Sequence, residues 1–565
     1  MADQSNTAPV REVPGRPSIT APFRHRIFAA IWVSSLISNF GGLIQSVGAS
    51  WLMLTMTHRP DLVALVPASA MAPMMLFSLA TGAIADGGDN RRVMIWAQTE
   101  MLLVSVVLAV AAFTGWLNPW TLLTLTFLLG CGAALNGPAW QASIGEQVPR
   151  EDLHSAVVLN GLSYNVARSL GPAIGGAIVA VANVATTFVV NAVCYIGLIV
   201  VLLRWRPRPP ERLFPREPIG TAMGSGLRYV SMSPSILSVL LRVLLFSLAG
   251  SAIWALMPVV ARDGVHGGPM SYGLLLCGFG FGAVGGALIS ARLRHRLGNE
   301  AMVRWASFAY AAATGAVGVV THLPLAMFVL LFAGAGWVLT LSTFAATVQM
   351  SSPRWVVARA MAIYQTVLFA GLALGAWGWG SLATAYGMRA AMVGSGVAGI
   401  AATLLGFRLR IGEHTKVDLD PHRGISDPQV GIDIEPRSGP VVTAIDYRVD
   451  PTRAADFVEA MAERRRIRLR DGARGWMLLQ DVADPSRWTE RFYSPTWADY
   501  LRTRKRMTVS DIAITERARA LTIEPPVVRH MLERPAGSMP NLFRLLRGEP
   551  ASTTIVEASV PPIAS

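Results

Sequence analysis

Charged residues are scarce in this sequence, which excludes a wholly soluble chain. Asp, Glu, Lys and Arg make up 15% of the 565 residues, whereas hydrophobic residues make up 52%. A soluble domain carries about 25% charged residues. The deficit is concentrated before residue 410, where apolar runs of about 20 residues recur, the length that a helix needs to cross a bilayer.

Cysteine is nearly absent as well. Cys131, Cys194 and Cys277 all lie within apolar runs, so we predict small buried side chains there, with no disulfide framework and no metal site. The lack of a P-loop disfavours ATP-driven export, and we expect no cofactor. Residues 1–22 lack an apolar cleavage-type region, so we predict a disordered cytoplasmic tail and no signal peptide.

Acidic residues are outnumbered by basic ones, which gives a net charge of +14. A basic chain suggests nucleic-acid binding, but here the arginines lie between apolar runs. The loops on one side hold only Arg59, Arg262 and Arg389, whereas every loop on the other side contains arginine. The positive-inside rule therefore explains the charge, places both termini in the cytoplasm and leaves no nucleic-acid partner.

Apolar segments predict an all-α membrane protein with 12 transmembrane helices. The segments lie near 27–56, 61–85, 92–115, 119–147, 153–180, 183–204, 235–261, 270–291, 299–320, 324–350, 357–385 and 388–408. A longer basic loop separates two halves of six. Its basic face fits either anionic lipid headgroups or a solvated linker.

A constant offset of 204 residues relates the two halves. The matching pairs are Gly82 and Gly286, Arg92 and Arg296, Pro149 and Pro353, Arg150 and Arg354, Gly171 and Gly375, and Gly176 and Gly380. Repeated halves with a site between them suit alternating access, in which one bundle rocks against the other. The repeat therefore favours membrane transport.

Composition changes again after residue 410. Residues 411–440 read as a linker, and the following pattern predicts strands at 441–449, 475–482 and 487–494 with helices at 451–470 and 495–519. This β-α-β-β-α order matches a small α+β, ferredoxin-like cytoplasmic domain. The predicted segments are a tail (1–22), a six-helix bundle (23–204), a central loop (205–234), a second bundle (235–410), a linker (411–440), the ferredoxin-like domain (441–535) and a flexible tail (536–565).

A candidate cytoplasmic gate follows the second span. It consists of Gly82, Asp86, Arg91 and Arg92. A carboxylate at a helix end, followed by two arginines, can clamp neighbouring helix ends by charge-assisted hydrogen bonds. The alternative is an ordinary polar loop that obeys the positive-inside rule.

The fifth span ends in the motif Gly171-Pro172-x-x-Gly175-Gly176. Small residues on one helical face let helices approach closely, and the proline kinks the helix within the membrane. We predict either a sealing and bending point or helix packing alone.

Arg168 lies near the middle of that span. An arginine there is costly unless it is paired or hydrated, so it is a candidate functional residue, together with Asn160 and Asn165 on the same helix. Its candidate acidic partners are Glu100 and Glu146. Glu100 is also the candidate proton carrier, because an apolar environment favours the neutral form of a carboxylate. The alternative is a structural pin between helices.

Other polar and aromatic positions within the spans suit a pocket for a large, partly apolar molecule. They are Gln45, Asn136, Trp140, Gln141, Trp254, Gln349, Tyr364 and Gln365. Interhelical hydrogen bonds are the alternative for each. The C-terminal domain shows no catalytic set: we expect the arginine run 464–470 to be solvated or membrane-facing, and His530 has no visible partner.

The loop after span two, the GPxxGG motif and the six-plus-six arrangement resemble the major facilitator superfamily, and GPxxGG resembles the motif of its proton-coupled exporters. That superfamily's loop has a basic residue where this chain has Gly87 and a glycine where it has Asp89. Residues 470–481, 488–492 and 494–501 look like the tail of the transmembrane secretion effector branch, which includes enterobactin-exporter-like proteins. A histidine is expected at Tyr500 in that branch.

The resemblance implies a bacterial inner-membrane antiporter whose partners are protons, membrane lipids and a small amphipathic substrate such as a siderophore, drug or secondary metabolite. The tail also resembles antibiotic-biosynthesis monooxygenase domains, which implies dimerisation through the C-terminal domain. Two alternatives stay open: an importer of the same fold, and a membrane-anchored sensor or enzyme that acts through the tail.

Overall fold

The computed structural model describes residues 20–87, 89–149, 151–206, 219–353, 355–409, 428, 430–432 and 434–534, with the backbone alone at 79, 82–87, 219, 221 and 222. The chain divides into two compact units, Met1–Asp420 and Pro421–Ser565. The predictions for residues 1–19, 207–218, 410–427 and 535–565 lie outside the described residues.

The first unit is helical. Its helices are α1 (Arg26–Thr57), α2 (Pro60–Gly87), α3 (Asn90–Phe113), α4 (Pro119–Gln147), α5 (Leu153–Val181), α6 (Val184–Arg204), α7 (Ile219–Ser231), α8 (Pro234–Gly250), α9 (Ala252–Val259), α10 (Pro269–Val317), α11 (Leu323–Met350), α12 (Val357–Tyr386) and α13 (Met388–Leu405). Asn118 begins α4 with a capping box, and Asn183 caps α6, because side-chain oxygens satisfy the free N–H groups of a first turn.

Ten described helical segments are long and apolar enough to cross a membrane, which confirms a multi-pass membrane protein. The helix limits differ from the prediction in two places. Predicted spans eight and nine form the single element α10, which breaks at Gly298 with a φ of 74°. Predicted span seven consists of α8, α9 and a π-helical turn, Val260–Gly264.

The repeat reappears in how each half packs internally. A methyl group at Gly171 of α5 would lie 3.0 Å from the Leu43 side chain of α1. A methyl group at Gly375 of α12, the matching residue, would lie 2.3 Å from the Leu248 carbonyl oxygen of α8. In both halves, therefore, this glycine lets the fifth span approach the first.

The last glycine of each stretch, Gly176 or Gly380, makes a contact between the halves. A methyl group at Gly176 would lie 2.5 Å from the Pro269 carbonyl oxygen at the start of α10. At Gly380 it would lie 2.5 Å from the Ala64 side chain near the start of α2. Each half thus presents a glycine of its fifth span to the second span of the other half.

Further contacts close the same end of the bundle. The Asp61 N–H in the first turn of α2 donates to Thr384 Oγ1 of α12 over 3.1 Å. The Trp51 and Tyr272 rings stack with their centroids 6.4 Å apart, which joins α1 to α10. We call this set of contacts, together with Gly176 and Gly380, the closed end.

The central-loop helix α7 is attached to the second half. Arg359 Nη1 donates to Ser225 Oγ over 2.6 Å, and the Tyr229 hydroxyl donates to the Ser351 carbonyl oxygen over 3.3 Å. Tyr229 is buried. The sequence suggested either a lipid-facing segment or a solvated linker for the central loop. Over residues 219–231, neither interpretation includes the observed contact of α7 with the second half.

The second unit contains a small sheet covered by helices on one face. Its elements are β1 (Val441–Arg448), α14 (Ala454–Asp471), β2 (Arg474–Gln480), β3 (Arg487–Ser494), α15 (Trp497–Lys505), α16 (Val509–Arg519) and β4 (Val527–Leu532). The strands are antiparallel in the order β2-β3-β1-β4. Ile445, Tyr447, Phe457 and Phe492 form much of the core between sheet and helices.

Two features of this unit differ from the sequence prediction. The helix predicted over 495–519 is two helices, because Thr508 and Asp511 form a capping box that starts α16. The strand β4 was not predicted. It pairs with β1 from Val441↔Leu532 to Asp446↔Val527.

Candidate functional site

Arg168 lies at the seam between the two halves. Its helix α5 passes so close to α10 that a methyl group at Gly280 would be 2.4 Å from Ser169 Cα and 3.1 Å from the Arg168 carbonyl oxygen. That carbonyl is the one that Pro172, which lacks an N–H, leaves without its helical donor. The proline and the glycine together let the two backbones meet at this position.

The Arg168 side chain points into an aromatic cluster of the second half. Its Cζ atom lies 4.9 Å from the centroid of the Trp254 ring and 5.5 Å from that of Phe279. A guanidinium over an aromatic face is held by cation–π attraction. The cluster continues through Trp337, Tyr310 and Phe246, with ring centroids between 5.1 and 5.8 Å apart.

The predicted acidic partners of Arg168 are elsewhere. Glu146 accepts a hydrogen bond from Asn90 Nδ2 over 3.1 Å. Glu100 packs against α4, where a methyl group at Gly132 would lie 2.2 Å from its Oε2 atom. Among the described residues no carboxylate forms an ion pair with Arg168, so the aromatic rings, which no local sequence pattern indicates, take that place.

Two N–H donors on or near this helix lack partners among the described residues. Asn160 Nδ2 and Trp254 Nε1 are buried atoms without a hydrogen bond within the described part of the chain. Asn165 is half-buried, and its carbonyl oxygen accepts from Ser169 Oγ over 2.9 Å. Unsatisfied buried donors are uncommon in folded proteins, which marks this region as a candidate binding site.

Four further pocket candidates lie in different halves of the bundle, two in the second half and two in the first. Tyr364 is buried and donates to the Leu341 carbonyl oxygen over 3.2 Å, and Gln365 beside it is half-buried. Trp140 packs inside the first half, and Asn136 keeps a buried oxygen without a partner in the described residues. The structure therefore does not bring Trp140 to the Arg168 cluster.

Glu100 belongs to a polar region inside the first half. Its Oε2 atom is buried without a described hydrogen-bond partner, and it interacts electrostatically with Cys131 and Tyr195. Nearby, Gln45 Oε1 accepts from Ser105 Oγ over 3.1 Å and also from Asn191. These groups link α1, α3 and α6.

The candidate gate arginines bind within their own half. Arg91 donates from Nε and Nη2 to the carbonyl oxygens of Leu202 and Leu203, each over 2.8 Å. It thereby satisfies free carbonyls at the end of α6. Arg92 pairs with Asp89 over 3.2 Å. Gly82 lies in α2, and the side chain of Asp86 lies outside the described residues.

A second buried arginine has a different environment. Arg242 of α8 is buried, with only 6% of it exposed. Its Nη1 donates to both oxygens of Glu300, over 2.9 and 3.1 Å, and Glu300 also accepts from Arg304 Nε over 2.8 Å. No local sequence pattern indicates this pair, because its members lie 58 residues apart in the chain.

The arginine run of the C-terminal unit is partly buried, which corrects the expectation of a solvated face. Arg464 Nε donates to Glu490 over 2.9 Å, and Arg468 Nε donates over 3.3 Å. Trp476 and Tyr447 also donate to this carboxylate. Burial alone would raise the pKa of Glu490, but the two guanidinium groups outweigh it and lower the pKa to about 2.

His530 also has a partner. Its Nε2 atom is hydrogen-bonded to the Tyr500 hydroxyl, to which Arg504 Nη1 donates over 2.9 Å. Burial, and then the charge of Arg504, lower the pKa of His530. The imidazole that contacts Tyr500 therefore comes from β4. In the branch that this chain resembles, a histidine is expected at position 500 itself. A groove of about 380 Å³ lies beside it, lined by Ile432, Trp497 and Val528 among others.

Known proteins resemble this chain in sequence. It is 25% identical to the staphyloferrin A transporter of Staphylococcus aureus over 52% of the chain and 74% of that protein. It is 28% identical to enterobactin exporter EntS of Shigella boydii over 48% of the chain and 64% of that protein. Macrolide efflux protein A of Streptococcus pyogenes is 21% identical over 46% and 65%. The chain spans just under two thirds of the last two.

Solved structures share the fold. A bacterial homologue of the human lysosomal transporter Spinster, in an inward-facing conformation, matches 69% of this chain and 98% of its own with a TM-score of 0.55 and 16% identity. The nucleoside transporter NupG matches 68% and 99% with a TM-score of 0.58 and 9% identity. The family profile described as "Transmembrane secretion effector" matches residues 17–536. The chain therefore belongs to the transmembrane secretion effectors of the major facilitator superfamily.

Proposed function

We propose that this protein is a secondary active exporter that moves a small amphipathic molecule, such as a siderophore, drug or secondary metabolite, in exchange for protons. Exporters of a siderophore and of macrolides are among its relatives. It lies in a bacterial inner membrane with both termini in the cytoplasm. It is a transporter and not an enzyme.

The proposed arrangement has twelve spans. Ten helical segments qualify by length and composition. The polar helix α5 adds an eleventh, and the break at Gly298 divides α10 into two. The loops with few arginines then face outwards, so the closed end lies at the periplasmic side.

The observation that carries the proposal is the matching contact of Gly176 and Gly380 across the seam. Two equivalent joints related by the internal repeat allow one half to rock against the other. Arg168 lies on the same helix as one joint and reaches into the opposite half. A cargo bound there would contact both moving bodies.

We assign roles to the predicted residues within this cycle. Arg168, Asn160 and Asn165 line the cavity, with Asn136, Tyr364 and Gln365 as further lining residues. The cytoplasmic gate lies at the end of α2 and includes Gly82. It is latched by Asp86, Arg91 and Arg92. Glu100 carries the proton.

Transport in everted membrane vesicles tests the function. A panel of siderophores and drugs is offered with an imposed pH gradient, and uptake into the vesicles is expected only when the gradient is present. Glu100→Gln should abolish gradient-driven uptake, whereas Glu146→Gln serves as the matched control. Uptake that is indifferent to the gradient, or movement only in the opposite direction, contradicts proton-coupled export.

The C-terminal unit is proposed to be a ferredoxin-like cytoplasmic domain that dimerises. Its sheet leaves one face uncovered, where Met477, Leu479 and Met531 are each more than two fifths exposed. Native mass spectrometry of the full chain should show dimers that Leu479→Asp dissociates. Monomers alone in the unaltered protein would refute dimerisation.

A second candidate function is ligand sensing by this domain. The groove beside Tyr500 and His530 favours it, because apolar walls with a few polar groups suit a small ligand. Thermal-shift screening of the full chain, compared with a His530→Ala variant, should identify ligands whose effect depends on that imidazole. A screen without such a ligand contradicts sensing.

A further inference from the structure

The side chains in and near the Arg168 cluster supply several hydrogen-bond donors. The guanidinium has only N–H donors, and the nearby Trp254 Nε1 donor is buried without a partner among the described residues. Asn160 Nδ2, on the same helix, is unpartnered in the same way. A group of donors that bears a positive charge is complementary to an anion.

The stacking of Arg168 leaves its donors available. Cation–π contact with Trp254 and Phe279 uses the face of the guanidinium, whereas its N–H groups point outwards in the guanidinium plane. Arg242 shows the contrast within the same protein, because its Nη1 donates to both carboxylate oxygens of Glu300. A purely structural arginine is neutralised here, and Arg168 is not.

The Arg168 and Trp254 side chains are both partly exposed, although the Trp254 Nε1 atom itself is buried. Arg168 and Trp254 are half-buried, unlike the Tyr310 and Phe279 rings behind them, which are buried. Arg168 comes from the first half and Trp254 from the second. An anionic group between them would therefore be held by both halves at once.

We propose that the exported molecule is an amphipathic anion whose carboxylate or comparable acidic group binds between the Arg168 guanidinium and the Trp254 indole N–H. Its apolar body lies against the aromatic cluster of the second half. This inference rests on the proposed function and names the charge class of its cargo.

Two dyes on one xanthene skeleton provide the test. Carboxyfluorescein is the anionic probe and rhodamine is the cationic probe, and fluorescence anisotropy measures their binding to the purified full-length protein. The unaltered protein should bind the anionic dye more tightly. Arg168→Gln should weaken anion binding about tenfold or more, the usual effect of losing a charge-assisted hydrogen bond, and leave the cationic dye unaffected. Arg168→Lys should recover part of the loss.

Controls separate this role from a structural one. Arg304→Gln removes a positive charge outside the cluster and should leave the preference between the dyes unchanged. Trp254→Phe keeps a ring but removes the indole donor, and should weaken anion binding several-fold. This variant decides the matter if Arg168→Gln does not fold.

The outcomes divide clearly. Equal or tighter binding of rhodamine by the unaltered protein overturns the inference, and so does an anion preference that survives both Arg168→Gln and Trp254→Phe. The affinities are measured without a gradient. A lack of gradient-driven dye movement in proteoliposomes would therefore count against export and leave the charge preference to be judged separately.

Discussion

Replacing Gly176 with alanine should open the closed end. The new methyl group would lie 2.5 Å from the Pro269 carbonyl oxygen and 3.1 Å from Gly273 Cα. Both neighbours are backbone atoms, so the helices must separate. Overpacking of this kind costs about 1–3 kcal/mol, which disfavours the closed end by about five- to 150-fold, since about 1.4 kcal/mol is a factor of ten.

Cys277 reports the opening. It lies one helical turn beyond Gly273 and one turn before Gly280, and both glycines contact α5, so it shares their face of α10. In a background with Cys131 and Cys194 replaced by serine, intact cells are treated with a membrane-impermeant maleimide. Gly176→Ala should increase the labelling rate of Cys277, and so should Gly380→Ala at the matching joint.

Matched controls lie on the same two helices. Gly161 of α5 and Gly378 of α12 have no atom within 4 Å of an added methyl group. Alanine there makes the same gain in helix propensity without the collision, so the labelling rate should stay unchanged. Equal rates in the test and control variants would refute the joint mechanism.

Three other predictions concern charged groups. Arg242→Ala should lower the free energy of unfolding by about 3 kcal/mol or more, and therefore the thermal unfolding temperature in detergent. Arg59→Gln, which removes one member of an exposed ion pair, should leave that temperature unchanged. Equal shifts in the two variants would refute the importance of the buried pair. The hydrogen-exchange protection factors of β3 in the full chain, taken relative to the intrinsic exchange rate at each pH, should fall as the pH falls from about 4.5 towards 2, because Glu490 has its pKa lowered to about 2 when folded and binds its proton more readily when unfolded. The loss totals about 3 kcal/mol, and Glu490→Gln should remove this pH dependence; a persisting dependence would assign it elsewhere. Tyr500→Phe should raise the pKa of His530 little, since burial is the main cause of its lowering, and histidine hydrogen-exchange mass spectrometry can measure it.

Much of the membrane architecture could be predicted from sequence because its signals are local. Apolar runs reveal spans, and a constant offset reveals the repeat. The glycines of the GPxxGG motif could be recognised as contact residues for the same reason. In an apolar helix, glycine usually serves to let a neighbouring helix pack closely. Their partners, Pro269 and Ala64, carry no such signal.

The partners of the arginines could not be predicted. Arg168 has a local signal, its depth in a span, but its contacts depend on where α9 and α10 lie. The environment of Arg242 could not be predicted either, because Glu300 approaches from a distant helix. In the C-terminal unit, the charges of residues 464–470 suggested a solvated face. Two of these residues, Arg464 and Arg468, instead donate to the buried carboxylate of Glu490.

The joints at Gly176 and Gly380 also bear on how fast the two halves can exchange conformations. At the first joint the contact is backbone against backbone, since Gly273 faces the Pro172 carbonyl oxygen as closely as Gly176 faces Pro269. No interlocked side chains have to change rotamer at this joint, although the stacked Trp51 and Tyr272 rings of the closed end must also separate. The activation barrier at this joint therefore has little steric component.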